Sequence, residues 1–250
     1  MSNPLADMEK PDVIFCIGTN MTECHPVAAT RIKKAHAKGA TMIVADPRRI
    51  ELAKRADLHL RLKVGTDVAL LLGMAHVIAR EGLVDEAFMQ ARTQDGEAFL
   101  EHVKQFTPQW AESICEVPAA DIETAALAYG RAQRGAIFYT LGITEHITGV
   151  DNVQCLSNLA LMTGNVGRPG TGINPMRGQN NIQGAGDAGG LPNNYVGFQP
   201  VDNLENQAKF AAAYGRQIDG DRGITKVRAL NLAVEGKMKA MVICGENTVV

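Results

Sequence analysis

Short apolar runs alternate along the chain with longer segments in which apolar residues recur at helical spacing. The runs at 12–17 and 41–45 are nearly continuous, which is typical of strands buried on both faces of a parallel sheet. A helix is predicted between them from Pro26 to Lys38, because proline suits a first helical turn and Gly39 stops the helix. Together these segments predict a β–α–β unit.

The alternation continues until a long glycine-rich segment. Residues 84–134 are predicted to be mostly helical. Glycine and asparagine are so frequent between 164 and 190 that a loop is expected there rather than a helix or strand. A loop of this length in a compact domain is usually functional or disordered, and its varied, lightly charged sequence favours function. Further strands are predicted at 56–62, 135–141 and 240–244, and further helices at 67–80, 119–131, 152–164, 203–215 and 223–236.

This order of elements predicts an α/β fold, with a Rossmann-like doubly wound parallel sheet followed by part of a second, pseudo-related α/β domain. The expected domains are 1–178 and 179–250. The pattern strand, glycine, any residue, asparagine occurs at 14–20 and again at 241–247, which supports two related halves. Few residues precede the first strand and few follow the last, so we expect both ends to be cuts within a longer protein.

Composition narrows the function classes. The net charge of −2 and the 5% aromatic content argue against a nucleic-acid partner. No apolar run is long enough to span a bilayer, and the first ten residues do not have the pattern of a secretory signal. The five cysteines form no C-x-x-C pair, so no zinc or iron–sulfur site is predicted, and reduced thiols in the cytoplasm are expected.

Polar residues and glycines follow three predicted strands, where a doubly wound sheet binds its ligands. Glycine lets a ligand approach the backbone, an acidic residue at a strand end often bonds ribose hydroxyls, and arginine suits phosphate. These residues also have structural interpretations. Asp46 could form a simple turn, Arg48 could be a surface residue, and residues 65–67 could be a plain helix cap. No G-x-G-x-x-G is present, which argues against a common NAD-binding motif. The candidate residues are Gly18, Asn20, Glu23, Asp46, Arg48, Gly65 and Asp67.

Arg177 is the candidate with the most specific chemistry. A lone loop arginine is usually a surface residue, but its rigid fork suits a carboxylate or phosphate. Four amides, at 179, 180, 181 and 183, follow it and suit a heterocycle with many donors and acceptors. Two histidines are left open: His146 is either a site residue or a turn cap, and His25 is either a ligand contact or a helix-entry residue.

Several motifs resemble those of the molybdopterin oxidoreductases of the dimethyl-sulfoxide-reductase superfamily, in the family's order along the chain. They lie at 17–26, 45–49, 65–67, 141–146 and 177–184. The last two resemble formate dehydrogenase alpha (catalytic) subunits in particular, above all the run Arg-Gly-Gln-Asn-Asn that begins at Arg177.

The resemblance implies oxidation of formate to CO2 at one Mo or W held by two molybdopterin guanine dinucleotides. It implies that Arg177 is catalytic, orienting the formate carboxylate through paired charge-assisted bonds. It also implies that the seven strand-end candidates bind one dinucleotide. The further cofactor-binding residues that it implies are Leu141, Gly142, Glu145 and Gln179 near the pterins, and Gly245, Glu246 and Thr248 in the second nucleotide site.

The family's metal ligand is a cysteine or selenocysteine followed by histidine. The resemblance places that pair upstream, so no metal ligand is assigned here, and the chain alone is expected to be inactive. The iron–sulfur cluster is likewise expected only in the full-length protein. The implied partners are formate and electron-transfer subunits that carry iron–sulfur, flavin or NAD centres. The location is expected to be cytoplasmic, or else periplasmic.

Three competing functions fit the same sequence less well. They are a nitrate-reductase-like enzyme of the same family, an electron-transfer scaffold without the cofactor, and a plain nucleotide-binding module. The residues 176–184 favour formate over nitrate, and a scaffold has no need of a carboxylate clamp such as Arg177.

Overall fold

The computed structural model describes residues 2–245. The chain divides between Gly178 and Gln179 into two compact units. The first unit is built on a five-stranded sheet, all of whose pairs are parallel. Its strands are β1 (Val13–Ile17), β2 (Thr41–Ala45), β3 (Leu58–Leu60), β4 (Gly135–Tyr139) and β5 (Gly172–Pro175).

The strand order is β3-β2-β1-β4-β5, so the chain moves outward in one direction from β1 and then crosses back to the other side. This is the order of doubly wound sheets, whose ligand crevice lies where the direction reverses, between the carboxyl ends of β1 and β4. The register aligns Ile17 of β1 with Ala45 of β2 and Tyr139 of β4. The residues that follow these three strands are therefore brought to one edge of the sheet.

Alternate residues of the strands enter two separate cores, one on each face of the sheet. Phe15, Ile43 and Ile137 belong to one core, which is covered by helices from residues 67–162. Cys16 and Met42 belong to the other, which is covered by the longer helix between β1 and β2. The continuous apolar strands follow from this arrangement, because neither face meets solvent. The helices of this unit are α1 (Met21–Cys24), α2 (Pro26–Ala37), α3 (Asp67–Arg80), α4 (Glu86–Arg92), α5 (Gly96–Val103), α6 (Pro108–Cys115), α7 (Ala119–Gly130), α8 (Leu141–Thr144) and α9 (Gly149–Met162), after a short 3₁₀ helix, Leu5–Glu9.

Within residues 179–245 the second unit contains helices and a small hairpin. Its hairpin pairs β6 (Asn194–Tyr195) with β7 (Gln199–Pro200) in antiparallel fashion. Asn203 caps α11 (Leu204–Tyr214) by accepting the backbone N–H of Asn206, and Thr225 caps α12 (Lys226–Val234) by accepting that of Arg228. The remaining helix of this unit is α10 (Ile182–Asp187). None of the helices within residues 2–245 has the length and apolar content needed to cross a bilayer.

The mixed α/β class is confirmed, but three of the predicted elements were wrong or incomplete. The strand predicted at 240–244 is not formed, because no strand among the described residues pairs with it and a lone strand leaves its backbone groups unsatisfied. The segment 164–190 is not all loop, since it contains β5 and α10. β5 tolerates its glycine because it is a short strand at the sheet edge. Its strand partner is β4, and Ser2 bonds its other edge at Ile173. The strand predicted at 56–62 is limited to β3.

Candidate functional site

A cavity of about 360 Å³ opens at the carboxyl ends of β1, β2 and β4. It is lined by the loops that leave these strands and by the N-terminal end of α3. Its volume is within the range of small-molecule sites. The sheet topology places it at the reversal of strand direction, which is where a doubly wound sheet binds ligands.

Two glycines bring the loops after β1 and β4 into backbone contact at the floor of this cavity. A Cβ on Gly18 would lie 2.7 Å from the carbonyl carbon of Gly142, and one on Gly142 would lie 2.6 Å from the carbonyl oxygen of Gly18. The N–H of Gly142 donates to the Gly18 carbonyl at 3.2 Å, and the Thr140 hydroxyl donates to the same oxygen at 2.8 Å. Gly18 also has a positive φ of 55°. Both positions therefore require glycine.

The loop after β2 brings a carboxylate and a guanidinium to the cavity. Asp46 is almost fully buried, and its Oδ1 accepts the backbone N–H of Arg48 at 2.8 Å, which forms a tight turn. The Arg48 side chain is exposed, with its Nε 3.8 Å from the same oxygen. His59 of β3 supports the turn, since its Nε2–H donates to the Asp46 carbonyl at 2.9 Å. Asp46 therefore forms a turn and also lines the cavity, so the two interpretations of this residue do not exclude each other.

Asp67, the first residue of α3, is a second buried carboxylate at the cavity. Burial raises the pKa of its carboxyl group, and the neighbouring Asp46 acts in the same direction, while its own backbone N–H and His146 lower it. His146 lines the cavity as well, and its Nε2–H donates to the carbonyl of Gly142 at 2.9 Å. Gly65 precedes α3 in a left-handed conformation, with φ of 81°. These residues make an acidic, partly desolvated wall.

The segment between β1 and α2 contains buried polar atoms that have no hydrogen-bond partner. They include Asn20 Oδ1 and His25 Nδ1, and both residues line the cavity. The hydroxyls of Thr19 and Thr22 in the same segment are also buried and unpartnered. A buried polar atom without a partner costs free energy, so such a group indicates a missing ligand or water.

Arg177 lies in the loop after β5, and its two neighbours, Met176 and Gly178, line the cavity. Its side chain is exposed, and within residues 2–245 its guanidinium makes neither an ion pair nor a hydrogen bond. Its charge acts on Tyr139 at the end of β4: burial raises the pKa of the Tyr139 hydroxyl and Arg177 lowers it. The arginine fork is therefore available to an anion.

The structure brings together eight of the predicted cofactor-binding residues on the cavity wall. The rest lie elsewhere: Glu23 and Glu145 are exposed and do not line the cavity, Gln179 and Gly245 belong to the second unit, and Glu246 and Thr248 lie outside the described residues. The eight on the wall are Gly18, Asn20, Asp46, Arg48, Gly65, Asp67, Leu141 and Gly142.

Sequence reasoning missed part of this wall. Thr140, Met176 and Gly178 were not singled out, although each follows a strand or flanks Arg177. No residues of this chain were matched to the family's cysteine–histidine pair, although Cys24 and His25 are adjacent and both line the cavity. The sequence alone could not decide whether His25 and His146 have a site role or a structural role. Each ring contacts a backbone carbonyl, and the spacing of residues along the chain does not predict such a contact.

Residues 2–245 contain no cluster of three or more histidine, cysteine or acidic residues that could hold a metal ion. All five cysteines are free thiols. Burial raises the pKa of Cys16 to about 12, that of Cys155 to about 11 and that of Cys115 above its usual range. Cys16 and Cys115 are buried in the core and Cys155 is half-buried against it, whereas Cys24 is exposed at the cavity.

A doubly wound sheet with a ligand cavity at its strand ends defines a cofactor-binding α/β protein. The family model for molybdopterin oxidoreductases matches residues 1–250, so the chain belongs to the molybdopterin oxidoreductase family.

Curated relatives cover the whole chain. It is 43% identical over 250 residues to the F420-dependent formate dehydrogenase 1 subunit alpha of Methanococcus maripaludis. It is 41% identical over 248 residues to formate dehydrogenase H of Escherichia coli. These matches cover 100% and 99% of this chain but 37% and 35% of the relatives, so the chain spans little more than a third of their length.

Among solved structures, acetylene hydratase from Pelobacter acetylenicus is similar, with a TM-score of 0.59 and 25% sequence identity. The match covers 64% of this chain and 24% of that one. The fold of the described sheet is therefore found in another, larger protein.

Proposed function

We propose that this chain is the part of a formate dehydrogenase catalytic subunit that holds a molybdopterin guanine dinucleotide and presents an arginine to formate. The family membership supports the molybdenum–pterin cofactor. The names of the relatives support formate, since several are formate dehydrogenases that match the full length of this chain. Activity of the whole protein depends on residues beyond these 250, and we propose that the chain alone is inactive.

The cavity has the chemistry that such a cofactor requires. A pterin and a guanine carry several N–H donors, and the cavity offers unpartnered buried acceptors at Asn20 Oδ1 and His25 Nδ1. The carboxylates of Asp46 and Asp67 add charged acceptors for ring N–H groups or ribose hydroxyls. Arg48 supplies a cation suited to a pyrophosphate. The close approach of two glycines leaves backbone, rather than side chain, at the floor.

We therefore propose that the eight wall residues bind one guanine dinucleotide, with Glu23 acting from the adjacent helix α1. Leu141, Gly142, Glu145 and Gln179 are proposed to lie near the pterins. A second dinucleotide, held in part by Gly245, Glu246 and Thr248, completes a bis(pterin) site for Mo or W. The Rossmann-like first domain and the start of a second dinucleotide-binding domain follow from the same proposal.

Arg177 is the observation that carries the substrate assignment. Its guanidinium is exposed and unpaired within residues 2–245, and its neighbours line the cavity. Two parallel N–H···O bonds from a guanidinium fork fix a carboxylate in one plane. Formate is the smallest carboxylate, so such a clamp would orient its C–H bond without further side-chain contacts. Formate loses two electrons and a proton on becoming CO2, and the molybdenum–pterin group would supply the acceptor for the two electrons.

Two competing functions are less well supported. A nitrate-reductase-like enzyme would share the family and the cavity, but the relatives that match this chain at about 40% identity are formate dehydrogenases. A scaffold that lacks the cofactor would have no reason to keep unpartnered polar atoms at Asn20 and His25 inside a cavity. The formate assignment explains both the relatives and the free Arg177.

The proposal also implies electron-transfer partners for the whole enzyme. The electrons have to leave the site, so the whole enzyme requires an iron–sulfur cluster and electron-transfer subunits with iron–sulfur, flavin or NAD centres. One relative is named as an F420-dependent subunit alpha, and such a name indicates further subunits in that protein. We place the enzyme in the cytoplasm.

The test is substitution of Arg177 in the whole protein, loaded with metal and pterin. Arg177→Ala should lower kcat/KM for formate by about a hundredfold or more, which corresponds to the loss of a charge-assisted clamp. Arg177→Lys should recover only part of it, because an ammonium cannot form the fork. Metal content should stay unchanged in both. Arg92→Ala, an exposed arginine on α4, is the matched control and should leave activity intact. Loss of metal from the Arg177 variants would instead make Arg177 structural.

A further inference from the structure

His25 connects the loop after β1 to the backbone of Arg177, although 152 residues separate them. The distance from His25 Nε2 to the carbonyl oxygen of Arg177 is 2.7 Å. A carbonyl oxygen carries no proton, so Nε2 has to be the donor in this bond. The other ring nitrogen, Nδ1, is buried and has no partner, and His25 lines the cavity. One imidazole therefore contacts the Arg177 loop on one side and has a free buried atom on the other.

The position of this imidazole is fixed by its own backbone. The His25 N–H donates to the Met21 carbonyl at 2.9 Å, and the His25 carbonyl accepts from the N–H of Ala29 in α2 at 2.9 Å. Pro26 follows and begins α2, which restricts the backbone further. The side chain thus projects from a rigid junction between two helices.

The Arg177 loop is held at only a few points within the first unit. The Met176 N–H donates to the Tyr139 carbonyl at 2.8 Å, which continues the bonding of β5 to β4. The next contact along the chain is the bond from His25 to the Arg177 carbonyl. A Cβ on the following Gly178 would meet nothing within 4 Å. The histidine bond is therefore what fixes the direction of the chain at the residue whose side chain would meet the substrate.

We propose that His25 is a positioning residue, which holds Arg177 in place through Nε2–H while its Nδ1 accepts a hydrogen bond from the bound cofactor. A neutral imidazole has one donor and one acceptor nitrogen, so a donor on the cofactor at Nδ1 fixes the tautomer that keeps the proton on Nε2. Cofactor binding then orders the arginine before substrate arrives. This role rests on the proposed binding of formate by Arg177.

Limited proteolysis of the native whole protein tests the bond without measuring activity, because trypsin cuts after arginine and Arg177 is exposed within residues 2–245. In His25→Leu the rate of cleavage between Arg177 and Gly178 should rise by about fivefold, the effect of losing one net hydrogen bond. In His25→Gln, whose amide can donate to the same carbonyl, the rate should stay within about twofold of the parent. The control is His36→Leu on α2, the helix that follows His25, because the His36 ring contacts Asp57 instead. This substitution should leave the cleavage unchanged. An unchanged rate in His25→Leu would overturn the proposal.

Kinetics of the loaded enzyme give the second readout. His25→Leu should raise the KM for formate several-fold with metal and pterin content kept, and His25→Gln should restore it. Equal effects of the two substitutions on KM would mean that His25 only supports the helix junction, and would overturn the positioning role. The two proposals fail separately: if Arg177→Ala kept full formate oxidation, the substrate role would be wrong, while the cleavage difference between the His25 variants would still report the bond.

Discussion

Gly18 and Gly142 touch backbone to backbone, so that a methyl group on Gly142 would lie 2.6 Å from the Gly18 carbonyl oxygen. The contact joins the loop after β1 to the loop after β4, on the two sides of the sheet's reversal point. It forms the cavity floor at the place where the topology alone predicts a ligand. The floor depends on the absence of both side chains.

Gly142→Ala should therefore destabilise the first unit by about 1–3 kcal/mol, since the added methyl meets backbone that cannot move aside cheaply. Denaturant unfolding of the whole protein measures this. Gly178→Ala is the matched control, because a Cβ there meets nothing within 4 Å. Equal stability of the two variants would show that the loops do not meet as described.

Asn165 lies outside the cavity wall and has a structural role at the start of β4. It is fully buried, its Oδ1 accepts the Gly135 N–H at 2.9 Å, and its Nδ2 donates to Thr163 at 3.0 Å. Asn165→Ala should cost about 1–3 kcal/mol, because the N–H that opens β4 is left unsatisfied. The free energy of unfolding from denaturant titration should fall, while cofactor affinity of the folded protein stays unchanged. A variant as stable as the parent would mean that water replaces the amide.

The raised pKa of Asp67 makes a prediction about pH. Its folded-state pKa lies above the ordinary value, so its charged form destabilises the cofactor-free fold once the pH exceeds that range. Asp67→Asn should raise the melting temperature of the cofactor-free protein at pH 7. The gain should disappear as the pH falls below 3.8, where the parent carboxyl group is protonated in both the folded and the unfolded state. Melting curves over a pH series measure this, and a constant gain at every pH would contradict it.

Cys24 should be the cavity's reactive thiol. It is exposed and lines the cavity, whereas Cys16 is fully buried and has a pKa of about 12. Iodoacetamide should label Cys24 in cofactor-free protein and leave Cys16 unmodified, and bound cofactor should protect Cys24. Peptide mass spectrometry gives the sites. Cys24→Ser should keep its molybdenum or tungsten; loss of metal would make Cys24 a ligand, against our assignment of none to this chain.

The sheet was predictable from sequence because burial on both faces produces continuous apolar runs, as at 13–17 and 41–45. β5 was not predictable, because this edge strand of four residues contains a glycine and has no continuous apolar run. The strand expected at 240–244 was predicted from an apolar run but is not formed. Its residues are apolar, but strand formation depends on a partner strand, which local sequence does not reveal.

The cavity wall was largely predictable, because parallel topology brings residues that follow adjacent strands to one edge. The contact between His25 and the Arg177 carbonyl was not. It joins a side chain to a backbone atom 152 residues away, and a backbone acceptor carries no sequence signal. Glu145 was predicted from motif resemblance, and Glu23 also from its place after the first strand. Both are exposed and lie away from the cavity wall, so their proposed contacts stay predictions.

The central claim is tested most directly with ¹³C-labelled formate and the whole protein, loaded with its metal and pterin and supplied with an artificial electron acceptor. The account predicts release of labelled CO2 together with reduction of the acceptor, two electrons for each CO2, and loss of both in Arg177→Ala but not in Arg92→Ala. Reduction of nitrate by the same preparation, with no labelled CO2 formed from formate, would contradict it.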